Sequence, residues 1–483
     1  MQNTVNPATN QMNLQSGGEW FGAGTVWSGT EVFQTTKRRS DEWLSDCSTE
    51  RALTTSLMDR VAELSNLARA CQQVISNNGS PGVDGMTVVE LSEWFGENWR
   101  SLQASLLNST YYPAEVLGVE IPKPQGGYRQ LGIPTVKDRL IQQALHQVLS
   151  PRYERIFSKH SFGFRPGRSA HDALSLGCAY VRSGKDYIVD IDLAKFFDEV
   201  NHDRLMWLLG TRIGDKRVLR LIGRFLKSGM LRDGLSSQRL KGTPQGGPLS
   251  PLLSNIVLDE LDKELERRSH CFVRYSDDLI IHVSSEESGH RVLSGISTYI
   301  ESRLRLKVNQ AKSGVRRCHG VNFLGHRFLL DGRLGLSRNS EGRFKNRVRE
   351  ITRRNRGISL DRVVEELNTY LVGWLNYFIH CRMRKKLLNL MGWIRRKIRC
   401  YRLKQCKRSK SMVRFLAQLG VPPRRGWLTA GMRKDWWRKS DTPASHEGMN
   451  LNWFAQIGLA NLVSIYDVKH PKKPPYTRVR TVV

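Results

Sequence analysis

Tyr275-Ser276-Asp277-Asp278 sets two adjacent carboxylates between two apolar runs, Cys271-Phe272-Val273 and Leu279-Ile280-Ile281. The pattern reads as a strand hairpin that carries a metal site at its turn. Neighbouring ionised acids repel by roughly 4 kcal/mol at 4 Å and an effective dielectric near 20, so a fold that keeps both charged needs a cation. Magnesium is the obvious one. Its matching chemistry is phosphoryl or nucleotidyl transfer between two metals about 3.5–4 Å apart. Alone, the tetrapeptide also fits an ordinary turn, because Asp tolerates turn geometry.

A second acidic segment lies upstream, from Tyr187 through Asp190-Ile191-Asp192-Leu193-Ala194-Lys195-Phe196-Phe197 to Asp198. Alternating apolar and acidic residues over Ile188 to Leu193 read as a strand that presents Asp190 and Asp192 on one face. One strand-borne acid and the hairpin pair give the three carboxylates of a two-metal polymerase site.

On these residues the chain resembles a reverse transcriptase. The run from Asp192 to Phe197 is similar to the family's first catalytic motif, and Tyr275 to Asp278 to its YxDD box. Lys241-Gly242-Thr243-Pro244-Gln245-Gly246-Gly247-Pro248-Leu249-Ser250-Pro251 is similar to the motif between them. The closest resemblance is to the enzymes encoded within bacterial group II introns, from roughly Asn78 to Leu462. Asn78 to Gly85 resembles their N-terminal extension, Ile121-Pro122-Lys123-Pro124 with Tyr128-Arg129 their fingers, and Ser161 to Arg168 the box joining fingers to palm. Leu306 to Lys312 and Phe323-Leu324-Gly325-His326 resemble the two motifs that close the palm, and Leu367 to Phe378 the thumb or maturase segment.

The resemblance implies that Asp192, Asp277 and Asp278 are catalytic and hold two Mg2+ ions. By the motif's spacing, Asp190 is left with a supporting role or a salt bridge. Lys123, Arg129 and Lys312 would neutralise the triphosphate, Gln245 would line the floor under the base pair, and Phe197 would block a ribose 2′ hydroxyl. Plain readings stand beside these: Lys123 and Arg129 as a solvated basic turn, Gln245 as a loop amide, Phe196 and Phe197 as core. Ser276 departs mildly from the Ala that most group II enzymes carry.

Composition agrees with a polyanionic partner. The 483 residues carry a formal net charge of +31 and a pI near 10.2, an electrostatic footprint of nucleic-acid binding. From Arg382 to Lys439 there are 20 Lys and Arg against one acid, Asp435, interleaved with Trp393, Tyr401, Trp427, Trp436 and Trp437. Arg395, Arg396, Lys397, Arg399, Arg402, Lys404, Lys407 and Arg408 are therefore the expected RNA-binding residues, although a charge run also makes a solvated face. No run of 18 apolar residues suggests a membrane span, no signal peptide is visible, and the eight cysteines form no CxxC pair. Reduced thiols point to a cytoplasmic bacterial protein, nucleoid-associated during integration.

The expected architecture is an α+β right-hand polymerase: a flexible tail over 1–50, fingers and an antiparallel palm sheet over 51–340, a helical thumb or maturase domain over 341–419, and a basic DNA-binding-like region over 420–483. Leu57 to Val74 is expected as the first helix, and composition shifts after Gly420. With no HH pair and no paired CxxC, the His- and Cys-rich endonuclease of longer relatives is expected to be missing, as in the compact class C members. The implied function is RNA-directed DNA synthesis from a primer 3′ end, with intron RNA, an RNA template with DNA primer, dNTPs and target DNA as partners. A maturase role and retrohoming follow by analogy. The rivals are a related host enzyme for DNA repair or phage defence, and a splicing factor whose polymerase is idle.

Overall fold

The computed structural model describes residues 56–122, 127–232, 235–244, 246–432 and 435–470. Lys123, Gln245 and the expected tail lie outside them, and Arg129 is described only as a backbone position.

The fingers combine four helices with a small sheet. Helices α1 (Leu57–Val61), α2 (Leu64–Ser76), α3 (Glu90–Leu107) and α4 (Val136–Glu154) pack their apolar stripes together. The single helix expected over Leu57 to Val74 is in fact two. At the break Asn66 turns its side-chain amide back onto the Val61 carbonyl at 3.0 Å, satisfying an acceptor the helix end leaves free, while Asp215 accepts the Met58 N–H at 2.9 Å at the start of α1. Strands β1 (Val116–Pro122) and β2 (Tyr128–Ile133) form an antiparallel hairpin with Pro122 opposite Tyr128. The palm contributes β3 (Tyr187–Ile191), and the finger sheet is completed by β4 (Met230–Arg232), parallel to β1, and β5 (Leu235–Ser237). Thr135 caps α4 by accepting from the Asp138 N–H, and the buried Asp138 carboxylate receives the Tyr111 and Thr135 hydroxyls, both at 2.8 Å.

The palm sheet runs in the order β6-β7-β3-β8, all antiparallel, with β6 Cys271–Tyr275, β7 Asp278–Val283 and β8 Gly314–Arg317. Around it lie α5 (Ala170–Arg182), the short α6 (Phe196–Glu199), α7 (His202–Gly210), α8 (Lys216–Lys227), α9 (Ser250–Arg267) and α10 (Glu286–Tyr299). Alternation along the strands splits the interior in two. Val189, Ile191, Phe272, Leu279 and Ile281 enter a core shared with the fingers, whereas Ile188, Val273 and Ile280 enter one shared with the thumb. Period two thus places Asp190 and Asp192 on the face of Ile188, and Asp278 on the face of Ile280.

A second hairpin, β9 (His326–Phe328) with β10 (Leu334–Leu336), leads to the thumb helices α11 (Arg338–Ile351), α12 (Leu360–Phe378) and α13 (Arg384–Gln405). On α12 the expected stripe is buried at Val363, Val364, Leu367, Leu371, Leu375 and Phe378. Trp374 is only partly covered, packing 4.3 Å from the Phe344 ring centroid. Six short helices follow: α14 (Ser409–Gln418), α15 (Pro423–Gly431), α16 (Trp436–Lys439), α17 (Pro443–Gly448), α18 (Leu451–Gln456) and α19 (Leu462–Lys469). The compositional shift at Gly420 is not a break in packing. Val421, Met449, Phe454 and Leu462 continue the thumb core, Asn368 of α12 bonds both Gly458 and Ala460, and the Tyr466 hydroxyl donates to the Cys381 carbonyl at 2.9 Å.

One buried ion pair ties the palm hairpin to its supporting helix. Arg274 of β6 is 1% exposed and Asp262 of α9 is fully covered. The guanidinium grips the carboxylate in two bonds of 2.5 and 2.7 Å, then donates to the Asn255 side chain and the Ser276 carbonyl, each at 2.9 Å. Removing one member of such a pair strands a buried charge, at a cost of about 3–5 kcal/mol. Asp262→Ala is expected to lower folding stability by that amount, read as a fall in urea midpoint at constant slope. A midpoint within error of the parent would contradict it.

Candidate active site

The YSDD tetrapeptide closes the β6–β7 hairpin. Tyr275 pairs with Asp278, leaving Ser276 and Asp277 as the two turn residues. Ser276 sits at φ +60°, a conformation that costs a side chain energy and persists where its surroundings enforce it. Those surroundings are the Arg274 bond to its carbonyl and the segment 160–163 laid alongside. The Phe162 N–H donates to the Arg274 carbonyl at 2.9 Å and the Arg274 N–H to His160 at 3.0 Å. Gly163 lies so close that a Cβ would run into the Ser276 backbone nitrogen, and Asn255 donates to the Gly163 carbonyl at 2.9 Å. The next residues of the same box reach the fingers: Arg165, 6% exposed, forms a 2.6 Å ion pair with Glu154 at the end of α4.

Across the sheet, Ile191 of β3 opposes Leu279, so continuing the register by one position sets Asp192 opposite Asp278, with Asp277 beside it at the turn. The segment 307–313 holds Asp192 in place. Its N–H donates to Ser313 Oγ at 2.9 Å, its Oδ1 receives the Asn309 amide at 3.2 Å, and its Oδ2 lies 3.4 Å from Lys312 Nζ. Asp190 faces Arg316 at 3.5 Å. Asn309 and Arg316 were not legible as site residues. Asn309 lies inside the Leu306–Lys312 run, but nothing in the sequence marks its amide as the partner of Asp192.

Electrostatics at this place are strained. Burial pushes the Asp190 carboxyl up to about 6, with Arg316 opposing the rise and Asp192 adding to it. Desolvation, then the neighbouring Asp277, Asp190 and Asp192, push Asp278 up to about 6 as well, with Lys312 opposing. Asp278 nevertheless keeps more than a third of its surface open, so its carboxylate is reachable from solvent. Hard oxygen donors crowded against one another suit a hard divalent cation. Among the described residues no three potential ligands yet stand at ligating distance; Lys312 and Arg316 supply the nearest positive charge.

The remaining expected residues are scattered. Phe197 is 8% exposed and meets Phe196 edge-on at 5.2 Å in the core shared with the fingers. Its carbonyl accepts the Thr243 N–H at 2.7 Å, which fastens it to the loop before position 245. On α13 the basic run is not one solvent-facing surface. Arg399 is a correction: it is buried, donates twice to the Met449 carbonyl, and is pushed down to about 10 by burial and by Arg395. Arg396 pairs with Asp441 at 3.0 Å and lies over Trp437, and Arg402 lies over Phe415. Long basic stems pack inward here because a carbonyl, a carboxylate or an aromatic face receives each head. Arg395, Lys397 and Lys404 are half-buried, while Lys407 and Arg408 are exposed.

Two family models match the chain: reverse transcriptase (RNA-dependent DNA polymerase) over residues 121–328, and the group II intron maturase-specific domain over 342–420. The chain is similar to protein YkfC of Escherichia coli K12, 31% identical over 54% of this chain and 80% of that one. It is also similar to the group II intron-encoded protein LtrA of Lactococcus lactis, 37% identical over 46% of this chain but only 38% of that one. Among solved structures, a partial Cas6-RT-Cas1–Cas2 complex matches at 24% identity and a TM-score of 0.34, over 51% of this chain and 42% of that one.

Raised carboxyls fix the sign of a pH effect. Asp190 and Asp278 favour the fold while protonated; that contribution is present below the ordinary carboxyl range near 4 and is lost as pH rises through about 6. A divalent cation held by Asp278 offsets the loss only where that acid is ionised. Millimolar magnesium or manganese is therefore expected to raise the melting temperature clearly at pH 8 and much less at pH 5. Equal shifts at both pH values would show that Asp278 does not face the ion.

Proposed function

The chain belongs to the reverse transcriptases that carry a group II intron maturase domain, and from that membership we propose that it extends a DNA primer on an RNA template and clamps its own intron RNA for splicing and retrohoming. One observation carries the polymerase half: the antiparallel register that brings Asp192 opposite Asp278, beside Asp277. Reverse transcriptases use divalent metal ions; here we assign two Mg2+ to Asp192, Asp277 and Asp278. Bound there, the ions would lower the pKa of the primer 3′ hydroxyl and hold the triphosphate.

The chain's own groups position the reactants. Asn309 and Ser313 fix Asp192, the Arg274 network fixes the turn that bears Asp277, and Lys312 can exchange its contact with Asp192 for an incoming phosphate. Lys123 and Arg129 would join it from the finger hairpin, with Gln245 under the base pair. Dispersed basic surface on the thumb supports the RNA half. Target DNA, and a bacterial cytoplasmic location at the nucleoid during integration, belong to the same reading.

Asp277→Ala removes a metal ligand without touching the thumb. Primer extension should fall by orders of magnitude while affinity for structured RNA stays within about twofold. A variant that still extends, or that loses RNA binding with its activity, would separate the acids from the chemistry assigned to them.

Phe197 gives the second test. If its ring excludes a 2′ hydroxyl, Phe197→Ala incorporates ribonucleotides far more readily relative to deoxynucleotides than the parent does. The ratio within each enzyme is the readout, which removes any loss from the core cavity. An unchanged ratio would leave Phe197 as core alone.

A further inference from the structure

Helices α11 and α13 run parallel in the thumb, with Glu341 against Lys386 at one end, Arg349 against Trp393 midway, and Thr352 and Arg354 beside Cys400 further on. Two cavities lie along the pair, the first between the helices and the second past the end of α11, against α16. One of about 320 Å3 is lined by Glu341, Lys345, Arg349, Lys386, Asn389, Leu390 and Trp393. The next, of about 190 Å3, is lined by Thr352, Arg354, Lys397, Cys400 and Trp437. Lys386, Leu390, Trp393, Lys397 and Cys400 follow helical spacing along one face of α13, so the two cavities share one stripe of about 21 Å at 1.5 Å per residue.

The charge of this groove is unbalanced. Glu341 is the one acid lining either cavity, and it already binds both Lys345 and Lys386. Lys397 has no carboxylate partner among the described residues; its ammonium lies 5.1 Å from the Trp437 ring and 5.7 Å from the Trp393 ring. Burial holds its pKa below the ordinary lysine value, and Arg349 and Arg354 push the same way against Cys400. A half-buried ammonium beside two guanidiniums calls for an anion. Both indoles are half-exposed and offer ring surface along the groove.

We propose that the α11–α13 groove is a binding site for unpaired RNA, with Lys345, Arg349, Arg354 and Lys397 against successive phosphates and Trp393 as a stacking platform for a base. This deepens the RNA-binding reading above and rests on it. A duplex keeps its bases stacked inside and offers a recessed groove only its backbone, whereas a single strand delivers base faces to an indole.

Full-length protein is titrated with a short unstructured RNA and with a blunt RNA duplex of equal length, by fluorescence anisotropy across a salt series. Trp393→Leu is expected to weaken the single strand at least about fivefold, the lower range for loss of one base stack, at nearly unchanged salt slope. Trp393→Tyr should restore most of the affinity, and Arg349→Gln should flatten the slope. Duplex affinity should hold in all three. The proposal is overturned if Trp393→Leu binds the single strand as the parent does, or if single strand and duplex weaken together. A parent that binds neither RNA would instead defeat the broader RNA-binding reading and this site with it.

Discussion

The buried pair between Arg274 and Asp262 is the constraint on which the palm depends. A guanidinium and a carboxylate removed from water are tolerated only when every polar atom finds a partner. Here the partners are the structure: Asp262 and Asn255 on α9, and the carbonyl of Ser276 in the turn. Charge satisfaction therefore dictates where the hairpin tip sits. The same Asn255 reaches Gly163, whose missing side chain lets segment 160–163 lie against the turn, and Arg165 extends the chain of contacts to the fingers. Fingers, palm and turn are joined through buried polar groups rather than through apolar area alone.

The palm sheet separates two cores and exposes its acids at the same time. Alternation sends Val189 and Ile191 towards the fingers and Ile188 towards the thumb, and the acids at 190 and 192 lie on the thumb side. An acid cluster in that position is electrostatically costly without counter-charge. The protein meets part of the cost with Lys312 and Arg316, groups that a phosphate or a cation can displace. The strain at the site and its readiness for ligands are one property.

The net charge of +31 is divided among different physical tasks. Arg274, Arg165 and Arg399 are interior fasteners, each answering a carboxylate or a carbonyl. Others, such as Arg396 and Arg402, lie over aromatic rings between the thumb and the C-terminal helices. What remains for an external polyanion is the positive charge without such a partner, Lys397 in the α11–α13 groove and the exposed Lys407 and Arg408 beyond it among them.

Much of this was decided by local sequence. The adjacent acids of the YSDD turn, the alternation at 188–193 and the stripe on α12 are short-range patterns, and short-range patterns announce strands, turns and helices wherever they occur. That Asp192 stands opposite Asp278 is not in either segment. It follows from the β3–β7 register, set by which faces are buried. Likewise the sequence shows a basic run over α13 without showing which heads point inward, since Arg399 and Lys397 differ by only two positions yet meet a carbonyl in one case and a cavity in the other. The split of Leu57 to Val74 into two helices, held by Asn66 reaching the Ala144 carbonyl as well as Val61, and the continuity of the thumb core past Gly420, held by Asn368 reaching Gly458 and Ala460, both depend on residues distant in the chain. Composition and periodicity fix what each segment is able to form; only the tertiary structure decides which polar atoms must be satisfied by which neighbours, because that requirement arises when water is excluded.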